Sequence, residues 1–201
     1  MKDEYRKLFD TPVDRRGTHS LKWDVRDNEL PMWVADMDFK TAPAIIEALQ
    51  KRVEHGVFGY SIIPDEWNEA YCEWWENRHH FHIEKDWLIF STGVVPILSS
   101  VVRKLTTPSE NVLIQTPVYN IFFNSIVNNG RNVLQCPLSY ENGEYSIDFD
   151  KLEEAMAQPQ TTMMIFCNPH NPVGKIWDRE TLAHVGELAK KYHVIVVSDE
   201  I

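Results

Sequence analysis

Residues 161–199 read TTMMIFCNPHNPVGKIWDRETLAHVGELAKKYHVIVVSD, and this stretch decides the fold. It opens on a short apolar run, Met163–Cys167, of the kind that forms a strand buried on both faces. The next seven residues, Asn168–Gly174, hold two Asn-Pro dipeptides and a glycine. They make neither helix nor strand, because the residue before a proline is pushed out of the helical region. Asp178 then stands where a helix N-cap belongs. Leu182, Val185, Leu188, Ala189 and Tyr192 follow as one apolar stripe over Arg179–Tyr192. A second apolar run, Val194–Val197, closes the unit and ends on Asp199. Strand, helix and strand in that order predict a parallel pair with its crossover helix.

The same alternation extends backwards. Apolar runs at Trp87–Phe90, Val112–Gln115 and Val133–Cys136 read as strands. Helical periodicity covers Val94–Leu105, Val118–Asn128 and Asp150–Ala157. The fold class is therefore α/β, a mostly parallel sheet with helices on both faces. Further upstream, Thr41 is placed to cap a helix with Pro43 in its first turn, Ile45, Ile46, Leu49 and Val53 on one face, and Gly56 at its end. A second helix is expected from Asp65, with Trp67, Ala70, Tyr71 and Trp74 at helical steps. The first 40 residues read as an irregular arm, and residues 41–201 as the domain proper.

Composition agrees with a packed domain. At 201 residues with 43% apolar, 11% aromatic and 25% charged, the chain is neither a disordered tail nor a coiled coil. A formal net charge of −10 argues against nucleic acid or an anionic membrane as the main partner. Cys72, Cys136 and Cys167 are widely spaced and contain no CxxC, as expected of free thiols in a reducing compartment. The N-terminus MKDEYRKLFD lacks the apolar core of a signal peptide, and no apolar run approaches the roughly 20 residues that span a bilayer. The expected location is cytoplasmic.

In open parallel sheets, ligands bind beyond the carboxyl ends of the strands, often at helix N-termini. Four strand-to-helix junctions therefore carry the candidate chemistry. Ser91-Thr92-Gly93-Val94-Val95-Pro96 offers a tight turn at Gly93 and free N–H groups for an anion. Alone it also reads as an ordinary turn, and it matches neither a Walker loop nor GxGxxG. In Thr116-Pro117-Val118-Tyr119-Asn120 the Tyr119 ring can stack on a planar ligand or join the core. Asn168-Pro169-His170-Asn171-Pro172-Val173-Gly174 is a rigid loop able to aim an Asn amide. Asp199, ending a buried apolar strand, needs a cation or donors; a protonated ring nitrogen would serve, and a helix cap is the plain alternative. In this order, an anion turn, a stacking aromatic, a fixed amide and a strand-end carboxylate suit one flat, phosphorylated, nitrogen-bearing cofactor, pyridoxal phosphate.

The sequence resembles the fold-type I pyridoxal phosphate enzymes, the aspartate aminotransferase superfamily. Within it, Trp33-Val34-Ala35-Asp36-Met37-Asp38-Phe39, Phe58-Gly59-Tyr60, Pro117-Val118-Tyr119 and Asn168–Gly174 are similar to the MalY/PatB-like cystathionine β-lyase (C–S lyase) branch. That resemblance implies roles residue by residue. Gly93, Val94 and Val95 would hold the cofactor phosphate, and Tyr119 would stack on its ring. Asn171 would bond its phenolic oxygen, with Asn168 shaping the loop, and Asp199 would keep the ring nitrogen protonated. Tyr60 would reach the neighbouring subunit's phosphate across a homodimer. Trp33, Ala35 and Asp36 would line the substrate side. The implied reaction is α,β-elimination of cystathionine or cysteine to pyruvate, ammonia and a thiol. An aminotransferase, or a non-catalytic cofactor-binding fragment, are the other readings.

By the same resemblance, the lysine that would hold the cofactor covalently is expected beyond Ile201, so no catalytic residue is assigned within the chain. None of its 11 lysines has the right context; Lys175, Lys190 and Lys191 lie nearest in sequence. The chain is expected to be the N-terminal part of the cofactor domain and inactive alone, with sheet edges left open where the family's last strands insert. His79, His80 and His82 beside Glu84 read as a solvated helix end, not a metal site, and Trp67, Trp74 and Trp75 as packing.

Overall fold

The computed structural model describes residues 2–201 and divides into two units, one ending at Ile62 and one running from Ile63 to Ile201. In the first unit the arm is not wholly irregular. It begins with helix α1 (Lys2–Asp10), and the Phe9 ring meets Phe39 edge-on at 5.1 Å between centroids. Helix α2 (Pro43–Glu54) starts with Pro43 at its first position, where a missing N–H costs nothing. Its N-cap is Ala42, not Thr41, and no side chain caps it. Its apolar stripe, Ile45, Ile46, Leu49 and Val53, is 37–64% exposed, so periodicity located the helix but the stripe is not buried within this unit.

The second unit opens with α3 (Asp65–His79), where Trp67 and Tyr71 stack at 5.9 Å. The run Trp87–Phe90, expected as a strand, is not one. A single 3₁₀ turn covers Lys85–Trp87 and the chain then runs on unpaired. A strand is stable only beside another strand, and apolar composition alone cannot provide that neighbour. Helix α4 (Val94–Leu105) follows, with the bounds its periodicity predicts.

From there the strand and helix order is β1 (Asn111–Thr116), α5 (Ile121–Val127), β2 (Asn132–Pro137), the small strands β3 (Ser139–Glu141) and β4 (Glu144–Ser146), α6 (Phe149–Met156), β5 (Thr161–Cys167), α7 (Arg179–Tyr192) and β6 (Ile195–Asp199). Helix α5 is shorter than expected because Pro117–Asn120 forms a loop before it. The β3–β4 hairpin closes on Asn142-Gly143, both at positive φ, a pair that tolerates the left-handed region.

The main sheet has the order β2-β1-β5-β6, with parallel pairing throughout. Alternate residues fill two cores. Leu113, Met164 and Phe166 face Leu152 and Met156 of α6 and Leu188 of α7. Val112, Ile114, Met163 and Ile165 face Leu98 and Val102 of α4 and Phe122 of α5. Asp178 caps α7 as expected, accepting the Thr181 N–H at 2.8 Å, although Leu182 at the start of the stripe stays exposed. Strand β6 lies at the sheet edge among the described residues, in keeping with the open edges expected, but it is not the buried strand its apolar run suggested, since Ile195 and Val196 are partly open to solvent.

One buried ion anchors the turns beneath the sheet. The Arg131 guanidinium donates from Nε to Thr106 Oγ1 at 2.8 Å and from Nη2 to the Thr106 carbonyl at 2.6 Å and the Arg103 carbonyl at 3.2 Å. Burial is tolerated because carbonyl dipoles replace its water.

Candidate cofactor site

The candidate residues of the second unit gather at the carboxyl ends of β1, β5 and β6 and at the start of α4. Register explains much of this. Strands β5 and β6 pair through to Cys167 with Asp199, and the Asn168 N–H donates to the Asp199 carbonyl at 3.0 Å. The Asn-Pro loop and Asp199 thus leave the sheet side by side. By alternation along β6, Asp199 lies on the face of Val197, which packs with the α4 core.

A hollow of about 430 Å³ opens there, with Val94, Val197, Ser198, Asp199, Tyr71 and Trp75 on its walls. At its α4 end, Gly93 is the N-cap and no side chain satisfies the first N–H groups. Pro96 has none and the Ile97 N–H is taken by the Gly93 carbonyl, so Val94 and Val95 carry the free donors. Gly93 itself has φ of 165°, extended backbone, and a Cβ there would meet Pro96 Cδ only at 3.6 Å. Gly93 therefore does not use the left-handed region, and the bend before α4 falls at Thr92. Ser91 Oγ donates to the Gly93 carbonyl at 3.1 Å and steadies the approach.

Tyr119 is 39% exposed, and its ring meets buried Phe122 in a T-shaped contact at 6.1 Å, so it is anchored on the core and partly open to solvent. In the Asn-Pro loop, Asn168 Oδ1 accepts the Trp177 N–H at 3.1 Å, so that amide is spent on loop shape. The Asn171 N–H donates to Cys167 Sγ at 3.4 Å and holds the backbone beside its amide. Burial pushes the Cys167 thiol up from its ordinary range, so it serves as a neutral packing group. Trp177, which also donates from Nε1 to the Cys167 carbonyl at 3.3 Å, escaped the sequence reading.

Of the candidate residues, Val94 and Asp199 line the hollow, whereas Tyr119 and Asn171 stand off it on the loops after β1 and β5. Their chemistry suits pyridoxal phosphate: free helix N–H groups for a dianion, a part-exposed aromatic ring, an amide on a loop, and a carboxylate for a protonated ring nitrogen. The lysines near in sequence lie elsewhere. Lys175 Nζ is 3.8 Å from Glu144, and Lys191 Nζ is 2.6 Å from Glu153.

In the first unit, Tyr60 is fully exposed and Trp33 mostly so. Asp36 is committed to Arg15 at 2.5 Å. Beside it, Asp38 accepts from Arg15 Nη1 at 2.6 Å, Lys22 Nζ at 2.9 Å and Trp23 Nε1 at 2.8 Å. The Trp23 indole, with Lys22 and Arg15, holds the Asp38 carboxyl far below the usual carboxylate range. This cluster pins the Trp33–Phe39 segment, and the sequence reading of an irregular arm did not show it. At the end of α3, His82 bridges Glu76 and Glu84 at 3.2 and 3.1 Å, and no group of three or more His, Cys, Asp or Glu suited to a metal occurs among the described residues. No described helix is long and apolar enough to cross a membrane.

Comparison with known proteins matches residues 29–201 to the family model of aminotransferases class I and II. The chain belongs to that family. Within it, the chain is 45% identical over 199 residues to cystathionine beta-lyase PatB of Bacillus subtilis, covering 96% of this chain and 51% of PatB. It is 38% identical over 200 residues to protein MalY of Escherichia coli, covering 96% of this chain and 51% of MalY. Among solved structures, cystalysin of Treponema denticola, which contains a pyridoxal 5′-phosphate cofactor, superposes with a TM-score of 0.88 at 37% identity, covering 95% of this chain and 50% of cystalysin. The chain spans about half the length of the relatives it matches.

Proposed function

We propose that the protein carrying this chain is a pyridoxal phosphate-dependent C–S β-lyase that eliminates a thiol from cystathionine or cysteine, leaving pyruvate and ammonia. The observation that carries the reading is the pairing of β5 with β6, which sets Asp199 beside the Asn-Pro loop and on the hollow shared with Val94. Identity to cystathionine β-lyases across nearly the whole chain supports elimination over amino-group transfer.

When bound, pyridoxal phosphate supplies an electron sink for a carbanion at the substrate Cα. The chain's own residues hold and tune that sink. The Val94 and Val95 N–H groups bind the phosphate, and Tyr119 covers one face of the ring. Asn171 donates to the phenolic oxygen. Asp199 keeps a proton on the pyridine nitrogen, and a carboxylate there favours the charged ring by direct Coulomb attraction. Trp33, Ala35 and Asp36 form the substrate side, held by the Asp38 cluster. Tyr60, wholly exposed in one chain, suits a contact across a homodimer. A cytoplasmic location suits the three free cysteines.

The pairing of Lys175 with Glu144 and of Lys191 with Glu153 supports a reading in which the cofactor's lysine is not among these 201 residues and the chain alone is inactive. The test is pyruvate release from L-cystathionine, measured on the whole protein and on the isolated chain. The reading requires pyruvate from the first and none from the second. Transfer of the amino group to a keto acid without pyruvate would favour an aminotransferase.

A further inference from the structure

His170 is buried, 2% exposed, in the middle of the Asn-Pro loop, yet the cofactor reading gives it nothing to do. Its Nε2 lies 2.9 Å from the carbonyl oxygen of Pro117. A carbonyl only accepts, so Nε2 carries the proton and donates. The Nδ1 atom has no hydrogen-bond partner, and burial lowers the imidazole's affinity for a second proton. The ring is thus a neutral, single-tautomer donor. Its plane is set by Trp177, which meets it edge-on at 5.8 Å, and its backbone by bonds to Lys175 and Gly174.

The position of this bond matters more than its existence. Pairing of β1 with β5 ends at Ile114 with Ile165. Past that point the two chains separate into the loops that carry Tyr119 and Asn171. Pro117 is two residues before Tyr119, and His170 is next to Asn171. We propose that His170 is a positioning residue: its Nε2–H latches the Tyr119 loop to the Asn171 loop, fixing the stacking ring and the amide at one spacing. The inference rests on the cofactor reading for its purpose, but the latch itself is a property of the chain without ligand.

The test compares three variants of the chain. His170→Gln keeps a donor at the reach of Nε2, His170→Asn does not reach it, and His170→Phe keeps the ring against Trp177 without a donor. Amide hydrogen exchange is read at Phe122, whose N–H donates to the Tyr119 carbonyl at 3.1 Å, at Asn171, and at the core positions Leu113 and Ile165. The latch requires exchange about tenfold faster in both loops for His170→Phe and His170→Asn, with the core unchanged and His170→Gln close to wild type. Loosening confined to the Asn-Pro loop, or no difference between Gln and Asn, overturns it. If His170→Phe fails to fold, the Gln and Asn pair decides.

Pyridoxal phosphate affinity gives the second arm, expected to fall about tenfold with the latch and return in His170→Gln. Loops that loosen with affinity unchanged contradict the positioning role. Failure of the wild-type chain to bind pyridoxal phosphate contradicts the cofactor reading instead, and the exchange comparison then judges the latch alone.

Discussion

The backbone N–H of Asn168 donates to the carbonyl oxygen of Asp199 at 3.0 Å. This bond continues the β5–β6 ladder by one step beyond Cys167 and Asp199. It fixes the origin of the Asn-Pro loop relative to the carboxylate, so a rigid amide and an anion share one end of the sheet.

The first prediction concerns Asp199 itself. In Asp199→Asn the backbone bond to Asn168 persists, and only the charge is lost. Hydrogen bonds to charged groups contribute roughly 1.5–3 kcal/mol, so pyridoxal phosphate should bind about 10- to 100-fold more weakly, read by a binding titration. Thermal stability should stay close to wild type.

Tyr119 should separate ring from hydroxyl. Tyr119→Phe keeps the face and should bind pyridoxal phosphate nearly as well as wild type. Tyr119→Ala should bind about 3- to 10-fold more weakly, since an aromatic pairing contributes roughly 0.5–1.5 kcal/mol beyond burial.

The Asp38 cluster should fail in acid. Its folded pKa is depressed, so its stabilisation is complete above the unfolded value, about 3.9, and declines as pH falls below it. The Trp23 indole N–H, bonded to Asp38 Oδ1, reports this directly. Its proton resonance should stay constant at neutral pH and hold well below pH 4 before moving. In Asp38→Asn it should be displaced at every pH.

Arg131 should be irreplaceable by lysine. An ammonium cannot satisfy the Thr106 hydroxyl, the Thr106 carbonyl and the Arg103 carbonyl from one planar group. Arg131→Lys should cost roughly 1–3 kcal/mol in denaturant unfolding while leaving ligand affinity unchanged.

Much of this was legible in the sequence because local and global signals agree in the second unit. The Asp178 cap and the stripe through Val185 and Leu188 place α7 with its observed bounds, Arg179–Tyr192. The runs around Leu113 and Met164 become strands because neighbours exist to pair with them. The Trp87–Phe90 run is as apolar, but strand formation depends on a partner, and its own residues do not encode one. The α2 stripe shows the same limit, since periodicity tells which face is apolar but not what covers it. At the candidate site, Tyr119 and Asp199 were open to proposal from junction chemistry, and Asn171 from the family resemblance. His170 and Trp177 were not, because their roles are bonds to Pro117 and Cys167, visible only once the loops are folded.

The most direct test of the central claim is a titration of the isolated chain with pyridoxal phosphate, followed by borohydride reduction and peptide mapping. The account predicts saturable binding that dialysis reverses, with no lysine among the 201 residues carrying a stoichiometric pyridoxyl group. Absence of saturable binding, or stoichiometric labelling of one lysine within the chain, would contradict it.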